Sequence, residues 1–360
     1  MPLIDRRFLA DLDYLLLGAV LALVGFGLLG ISSAAGPAFL NAQLSRVFLG
    51  LAICFAVALI DYHRLTQFAP LFYVIAVALL AATLLLGSEI KGSKSWIVLM
   101  GFRFQPSELV KVAVILALAR YLGELRENLL SLRQIVGLGL LFSLPVMLVV
   151  LQGDMGTALM YFPILGGMML VAGLRLRFWV AMLLICALLA PLGWFMLHDY
   201  QRERILVTFN PDLDPQGVGY QVRQSKIAIG SGGWTGKGLG QGSQSRLGFV
   251  PEIRTDFIFA LLAEEHGFLG AAAILLLYLF VLFRITGAAE LSRDRTGLLI
   301  VTGVGSLLFA HVVTNVGMTL GLLPAIGVPL PFVSYGGSAM LAMFAAIGLV
   351  FNVRYRRFVY

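Results

Sequence analysis

Residues 14–32 read YLLLGAVLALVGFGLLGIS, a run without a single charged side chain. A bilayer core about 30 Å thick takes about twenty mostly apolar residues per spanning helix, because each backbone amide in lipid must be bonded within its own segment. The run has that length and that purity. Comparable runs recur at 44–60, 67–86, 107–121, 134–151, 155–172, 178–196, 267–283, 298–320 and 336–353, so ten spans are expected. The 360-residue chain is 59% apolar and only 12% charged, with a mean hydropathy of +0.93, which excludes a soluble globular domain. The expected fold is an all-α polytopic membrane protein, with residues 1–360 forming a single integral membrane domain.

The first run follows Arg6 and Arg7 and precedes Ser32, Ser33, Ala34 and Ala35, the layout of a cleaved signal peptide. Its apolar stretch is too long for one and nine more runs follow, so it reads as a retained helix. Cys54 and Cys186 both fall in mid-span and read as small buried hydrophobes rather than a disulfide or a metal pair.

The net charge of +7 raises nucleic acid as a partner, but the basic residues lie in loops between spans rather than along one soluble face. They report topology instead. With ten spans both termini share a side, and Arg6, Arg7, Arg64, Arg120, Arg126, Arg133, Arg284, Arg293, Arg354 and Arg357 are among the residues that fall there. The short loops opposite hold Arg46, Lys91, Lys94 and Arg103. The positive-inside rule makes both termini cytoplasmic.

Two non-membrane stretches are sizeable, 87–106 and 197–266, and both fall on the outer side. The second is a long extracytoplasmic loop between the seventh and eighth spans, and chemistry belongs there. Its GSGGWTGKGLGQGSQSRLG segment cannot be a regular helix. It reads either as a flexible linker or as a cradle in which backbone amides, with Lys237, Gln244 and Arg246, close around an anionic group. The GKG within it follows no strand and is not a nucleotide-binding loop.

Ionisable groups at membrane depth cost several kcal/mol and ask for a partner or a function. In FQPSELVKVAV (104–114), Glu108 and Lys111 share a helix face. They read as an i, i+3 ion pair, as a lysine held to meet a phosphate, or as both. Asp154 begins a helix and reads first as an N-cap. His311 and Asn315, four residues apart, suggest interhelical hydrogen bonding.

In PEIRTDFIFALLAEEHG (251–267), Asp256 precedes a short interfacial helix that Gly267 can break before the next span. At about 100° per residue Glu265 lies about 180° from Asp256, so the two cannot form a pair on one face. Asp256 reads equally as a helix cap or as a catalytic carboxylate.

FQPSELVK (104–111), GDMGTA (153–158), IGSGGWTGKGLGQGSQ (229–244), PEIRTDFIFALLAEEHG (251–267) and NVGMTLGLLPAIGVPLPFVSYGGS (315–338) together resemble the SEDS family of bacterial cell-wall polymerases (shape, elongation, division and sporulation). The GKG and GSQ wording is similar to its elongation branch. The chain departs from the family's pattern at Gly153, where Pro is usual, at Ser95, where a basic residue is usual, and at Arg254, where His is common.

The resemblance implies a peptidoglycan glycosyltransferase acting on lipid II, with Asp256 as general base and with Lys111, Glu108, Asp154, Lys237, Gln244 and Arg246 around the substrate. It also implies a class B penicillin-binding protein of the elongation machinery as partner. A divalent cation (Mg2+ or Mn2+) would stabilise the departing pyrophosphate, but no ligand set in the sequence demands one, and no other cofactor is expected. A lipid II flippase and a cell-wall scaffold are the competing readings. Against the flippase, the polar and irregular segments gather on one side of the membrane.

Overall fold

The computed structural model describes residues 12–356 except 91, 100–101, 126–131, 211–212 and most of 174–198. The described residues are mainly helical, as expected: α1 (Tyr14–Ala35), α2 (Pro37–Leu59), α3 (Tyr62–Gln67) and α4 (Ala69–Leu86) lead into a small sheet of β1 (Ser88–Ile90), β2 (Ser93–Leu99) and β3 (Phe102–Phe104). Then follow α5 (Pro106–Gly123), α6 (Leu132–Leu151), α7 (Met155–Leu159), α8 (Tyr161–Val171), α9 (Asp199–Phe209), α10 (Val218–Ser231), α11 (Ser243–Arg246), α12 (Ile258–Glu290), α13 (Arg295–Thr319) and α14 (Ser338–Arg356).

Among the described residues, seven helices are long and apolar enough to cross a membrane: α1, α2, α4, α6, α12, α13 and α14. Met155–Val171 is a shorter apolar stretch, and α5 carries Glu108, Lys111 and Arg120 within its 18 residues. The expected span at 178–196 lies outside the described residues, so the count of ten is not established.

Local chemistry sets the helix ends. Asp13 caps α1 by accepting from the Leu16 amide at 3.1 Å, and Gly36 then turns at φ +76° so that Pro37 can open α2. Asp294 caps α13 through the Gly297 amide at 2.9 Å. As the sequence suggested, Gly267 breaks α12: its φ of +67° and ψ of −164° separate a short segment, 258–266, from the long apolar one.

Helices pack where small residues admit a close neighbour. A Cβ at Gly50 would lie 2.2 Å from Phe344 and one at Gly348 2.6 Å from the Cys54 carbonyl, so α2 and α14 run against each other almost backbone to backbone. At the end of the bundle where α1 begins and α12 and α14 end, Asp13 bonds Arg284 at 2.8 Å and Arg354 at 2.5 Å, and Asp61 bonds Arg356 at 3.2 Å.

The sheet at 88–104 was not anticipated. It is antiparallel in the order β1-β2-β3, with Val98 opposite Arg103. Its strands are too short, and its apolar residues too few, to stand out beside runs of twenty.

The longest departure from regular structure among the described residues is 320–337, whose stretch 328–334 is largely buried without being helical. Such backbone persists at membrane depth only where protein satisfies it. Here side chains do so: Asn315 donates to the Val328 carbonyl at 2.8 Å, the Pro329 carbonyl accepts from His311 at 3.2 Å, Tyr278 donates to Pro331, and Ser334 accepts from the Leu330 amide at 2.8 Å.

Candidate active site

The turn preceding α12 is wound around one carbonyl. The amides of Thr255, Asp256 and Phe257 all donate to Glu252 O, at 3.1, 3.1 and 3.2 Å, with Glu252 itself at φ +56°. The N-cap position falls on Phe257, which has no capping side chain, so Asp256 stands one residue outside the cap. The residue is half-buried.

The 320–337 segment holds this turn by its backbone. Asn315, wholly buried, donates to Asp256 O at 2.8 Å with the same amide nitrogen that reaches Val328 O. Ser334 donates to Thr255 O at 2.5 Å and the Tyr335 amide to Arg254 O at 2.9 Å. Gly327 passes so near that a Cβ there would lie 3.3 Å from an Asp256 carboxylate oxygen. The fold therefore fixes the Asp256 backbone from two directions while its side chain remains partly open. Asn315 and His311 do more than bridge helices: they bind the irregular segment and, through Asn315, the Asp256 turn itself.

The glycine-rich loop does close amides and a cation around anions, but the anions belong to the protein. Lys237 Nζ donates to Glu264 Oε1 at 2.8 Å, the Gln244 amide to the same oxygen at 3.0 Å, and the Ser245 amide to Oε2 at 3.1 Å. Ser33 and the Gly240 amide, at 3.0 Å, both donate to Glu265 Oε1. Main-chain bonds from Lys237 to Glu264 O and from Gly238 to Glu265 O, each 3.0 Å, seat the loop on the segment before Gly267. Lys237 and the Gln244 backbone, expected to face substrate, are thus committed to Glu264, while Arg246 is exposed at the end of α11. The sequence reading missed that Glu264 and Glu265 are the loop's ligands.

Lys111 is enclosed within the helix bundle. It is fully buried, with Nζ 2.9 Å from Glu108 Oε1 and 3.1 Å from His311 Nε2. A lysine has no lone pair to offer, so Nε2 accepts and His311 Nδ1 carries the proton donated to Pro329 O. Asp154 is the N-cap of α7, accepting from the Thr157 amide at 3.1 Å, and its second oxygen takes Gln105 Nε2 at 2.6 Å. The preceding Gly153 has φ +79°, a conformation closed to proline, and its amide donates to Val150 O at 2.9 Å. The departure at 153 therefore changes the local turn and not merely a side chain.

Among the described residues no three His, Cys, Asp or Glu side chains converge as a metal site. Glu264 and Asp154 are moreover already engaged by amides and side chains of the protein.

The chain matches the family model described as "Cell cycle protein", that of FtsW, RodA and SpoVE, over residues 14–358. It is 39% identical over 352 residues to the peptidoglycan glycosyltransferase MrdB of Escherichia coli (strain K12), covering 96% of this chain and 94% of that protein. To the peptidoglycan glycosyltransferase RodA of Treponema pallidum (strain Nichols) it is 32% identical, covering 98% and 99%. Among solved structures, the Thermus thermophilus rod shape determining protein RodA superimposes with a TM-score of 0.73 at 31% identity, covering 96% of this chain and 98% of that one. A chain from a structure described as "structural coordination of polymerization and crosslinking by a peptidoglycan synthase complex" gives 0.85 at 34% identity, with the same coverage.

Proposed function

The chain belongs to the FtsW, RodA and SpoVE family and is an integral membrane peptidoglycan glycosyltransferase; on that premise we propose that it polymerises lipid II into glycan strands with Asp256 as the general base. The observation that carries the assignment is the mounting of Asp256: outside the helix cap, half-open, and fixed by Asn315, Ser334 and Tyr335 through the backbone around it. A base must be held within reach of the proton it takes, and a rigid mount with an accessible carboxylate meets that need.

In the proposed step the Asp256 carboxylate accepts the proton of the acceptor N-acetylglucosamine 4-hydroxyl. That oxygen forms a bond to the donor's anomeric carbon, and the bond from this carbon to the diphosphate breaks, its electron pair leaving with undecaprenyl diphosphate. The substrate's lipid stays in the bilayer while its sugars meet the turn at the membrane surface. Elongation rather than division is supported by the GKG and GSQ wording and by the likeness to the rod shape determining protein RodA of Thermus thermophilus.

The test is polymerisation of labelled lipid II by purified wild type and Asp256→Asn. The amide keeps the shape and loses the base, so the variant should fold and bind lipid II yet polymerise roughly a hundred- to ten-thousand-fold more slowly. Glycan strands from Asp256→Asn at near wild-type rate would defeat the assignment. Failure of the wild type to make strands, with lipid II still crossing the membrane, would favour a flippase.

The partner proposed is a class B penicillin-binding protein. The similarity to a chain of a peptidoglycan synthase complex supports it, as do the apolar outer faces of α2, α4 and α6, with Phe48, Val74 and Leu140 exposed. Co-purification from membranes checks it, and recovery of this chain without any such protein counts against a stable complex.

A further inference from the structure

We propose that Arg46 and Arg254 form an anion subsite beside Asp256 that takes the diphosphate of a polyprenyl-linked sugar. The proposal deepens the reading above and rests on it for the identity of the substrate. The Arg46 guanidinium lies 4.4 Å from the centre of the Tyr335 ring, and the Arg254 guanidinium 4.7 Å from that of Phe39. The two rings touch edge to face with centroids 5.4 Å apart, and the Tyr335 amide bonds Arg254 O at 2.9 Å. Arg46, Tyr335, Phe39 and Arg254 are therefore one cluster, and Arg254 is two residues before Asp256 in the same turn.

Two cations gathered on one aromatic pair repel each other, and among the described residues no ion pair neutralises either. Among the described residues neither has a carboxylate within ion-pair distance, and Arg46 reaches only Gln43 Oε1, at 3.4 Å. Elsewhere the chain neutralises or satisfies its half-buried arginines. Arg284 and Arg354 share Asp13, Arg356 takes Asp61, and Arg295 donates to the Leu125 and Ala172 carbonyls at 2.7 and 2.8 Å. Stacking on its flat face leaves a guanidinium's N–H edge for other partners, and Arg46 uses one N–H of that edge on Gln43. That edge is the fork that fits a phosphate bidentately.

Two such edges match two linked phosphates, one each. The arrangement also places positive charge where the leaving group gains negative charge in the bond-breaking step. A phospholipid headgroup offers the same phosphate chemistry at the same depth, so the experiment must separate the two sources.

The full chain is reconstituted in nanodiscs with and without phosphatidylglycerol, and binding of radiolabelled undecaprenyl diphosphate and undecaprenyl monophosphate is measured alongside the thermal midpoint. Wild type should favour the diphosphate whether or not phosphatidylglycerol is present. Arg46→Gln and Arg254→Gln should each weaken diphosphate binding about tenfold or more, the scale of one charge-assisted hydrogen-bonded contact. Arg46→Lys should be intermediate, because it keeps the charge and loses the fork. The thermal midpoints should stay at the wild-type value, and Arg64→Gln, a charge removed at the opposite end of the bundle, should bind as wild type.

Wild-type binding by both glutamine variants would overturn the subsite. So would equal losses for monophosphate and diphosphate, or displacement of the diphosphate by phosphatidylglycerol in wild type alone. Asp256→Asn should bind the diphosphate normally. Polymerisation by that variant would sink the general-base reading and leave the binding result standing, whereas normal binding by the arginine variants would do the reverse.

Discussion

Lys111 is the side chain whose surroundings speak most directly about its role. It is 0% exposed and lies between Glu108 and a neutral His311, so removing its charge strands a carboxylate in an apolar bundle. Breaking a buried pair from one side costs about 3–5 kcal/mol. Lys111→Ala should therefore lower the thermal midpoint and polymerisation together, and Glu108→Gln added to it should recover much of the stability. Loss of polymer at an unchanged midpoint would instead mean that Lys111 meets the substrate. At this scale the sequence showed the Glu108–Lys111 pair, because i, i+3 spacing is local, and it showed Asp154 as a cap. It could not show that Lys111 meets His311, 200 positions away, or that Asn315 grips Asp256 through a backbone carbonyl. Neither contact leaves a periodic trace.

The glycine-rich loop and the broken helix α12 form one unit, joined where two left-handed glycines meet. A Cβ on Gly267, at φ +67°, would sit 2.3 Å from the Gly236 amide nitrogen and 2.6 Å from Trp234 O, so no side chain fits without moving the main chain. Gly267→Ala should unseat the loop from Glu264 and Glu265, lower the thermal midpoint, expose residues 232–248 to protease and reduce polymerisation. Gly248→Ala, at φ +72° but facing open space, should carry only the backbone strain and a smaller loss. Equal behaviour of the two variants would mean that the loop is not held through this contact. The break at Gly267 was legible because glycine after an acidic, apolar helix is a local signal. The target of the loop was not. Its composition left a linker and an anion cradle both open, and composition cannot distinguish a ligand's phosphate from a glutamate of the next helix. The β1–β3 sheet escaped for a related reason, since three short strands make their case by pairing rather than by pattern.

Across the whole molecule, the helices sort the loops into two ends without reference to any membrane. Arg64 on α3 and Arg293 after α12 lie at the end where Asp13, Arg284 and Arg354 meet, whereas Ser88 follows the far end of α4 and Leu239 belongs to the loop seated at the start of α12. Geometry makes Arg64 and Arg293 one pair and Ser88 and Leu239 the other. Which pair faces the cytoplasm is a matter of charge: the arginine-rich end is the one that the positive-inside rule retains. Exposed positions allow a direct reading in a chain freed of Cys54 and Cys186. In whole cells, Ser88→Cys and Leu239→Cys should react with a membrane-impermeant thiol reagent, while Arg64→Cys and Arg293→Cys should react only after permeabilisation. Because the proposed chemistry needs sugars at the Asp256 turn, on the Leu239 side, the same labelling bears on the mechanism. Labelling of Arg64→Cys in intact cells, with Leu239→Cys protected, would place the Asp256 turn in the cytoplasm and remove polymerisation of an outward-facing lipid II from consideration.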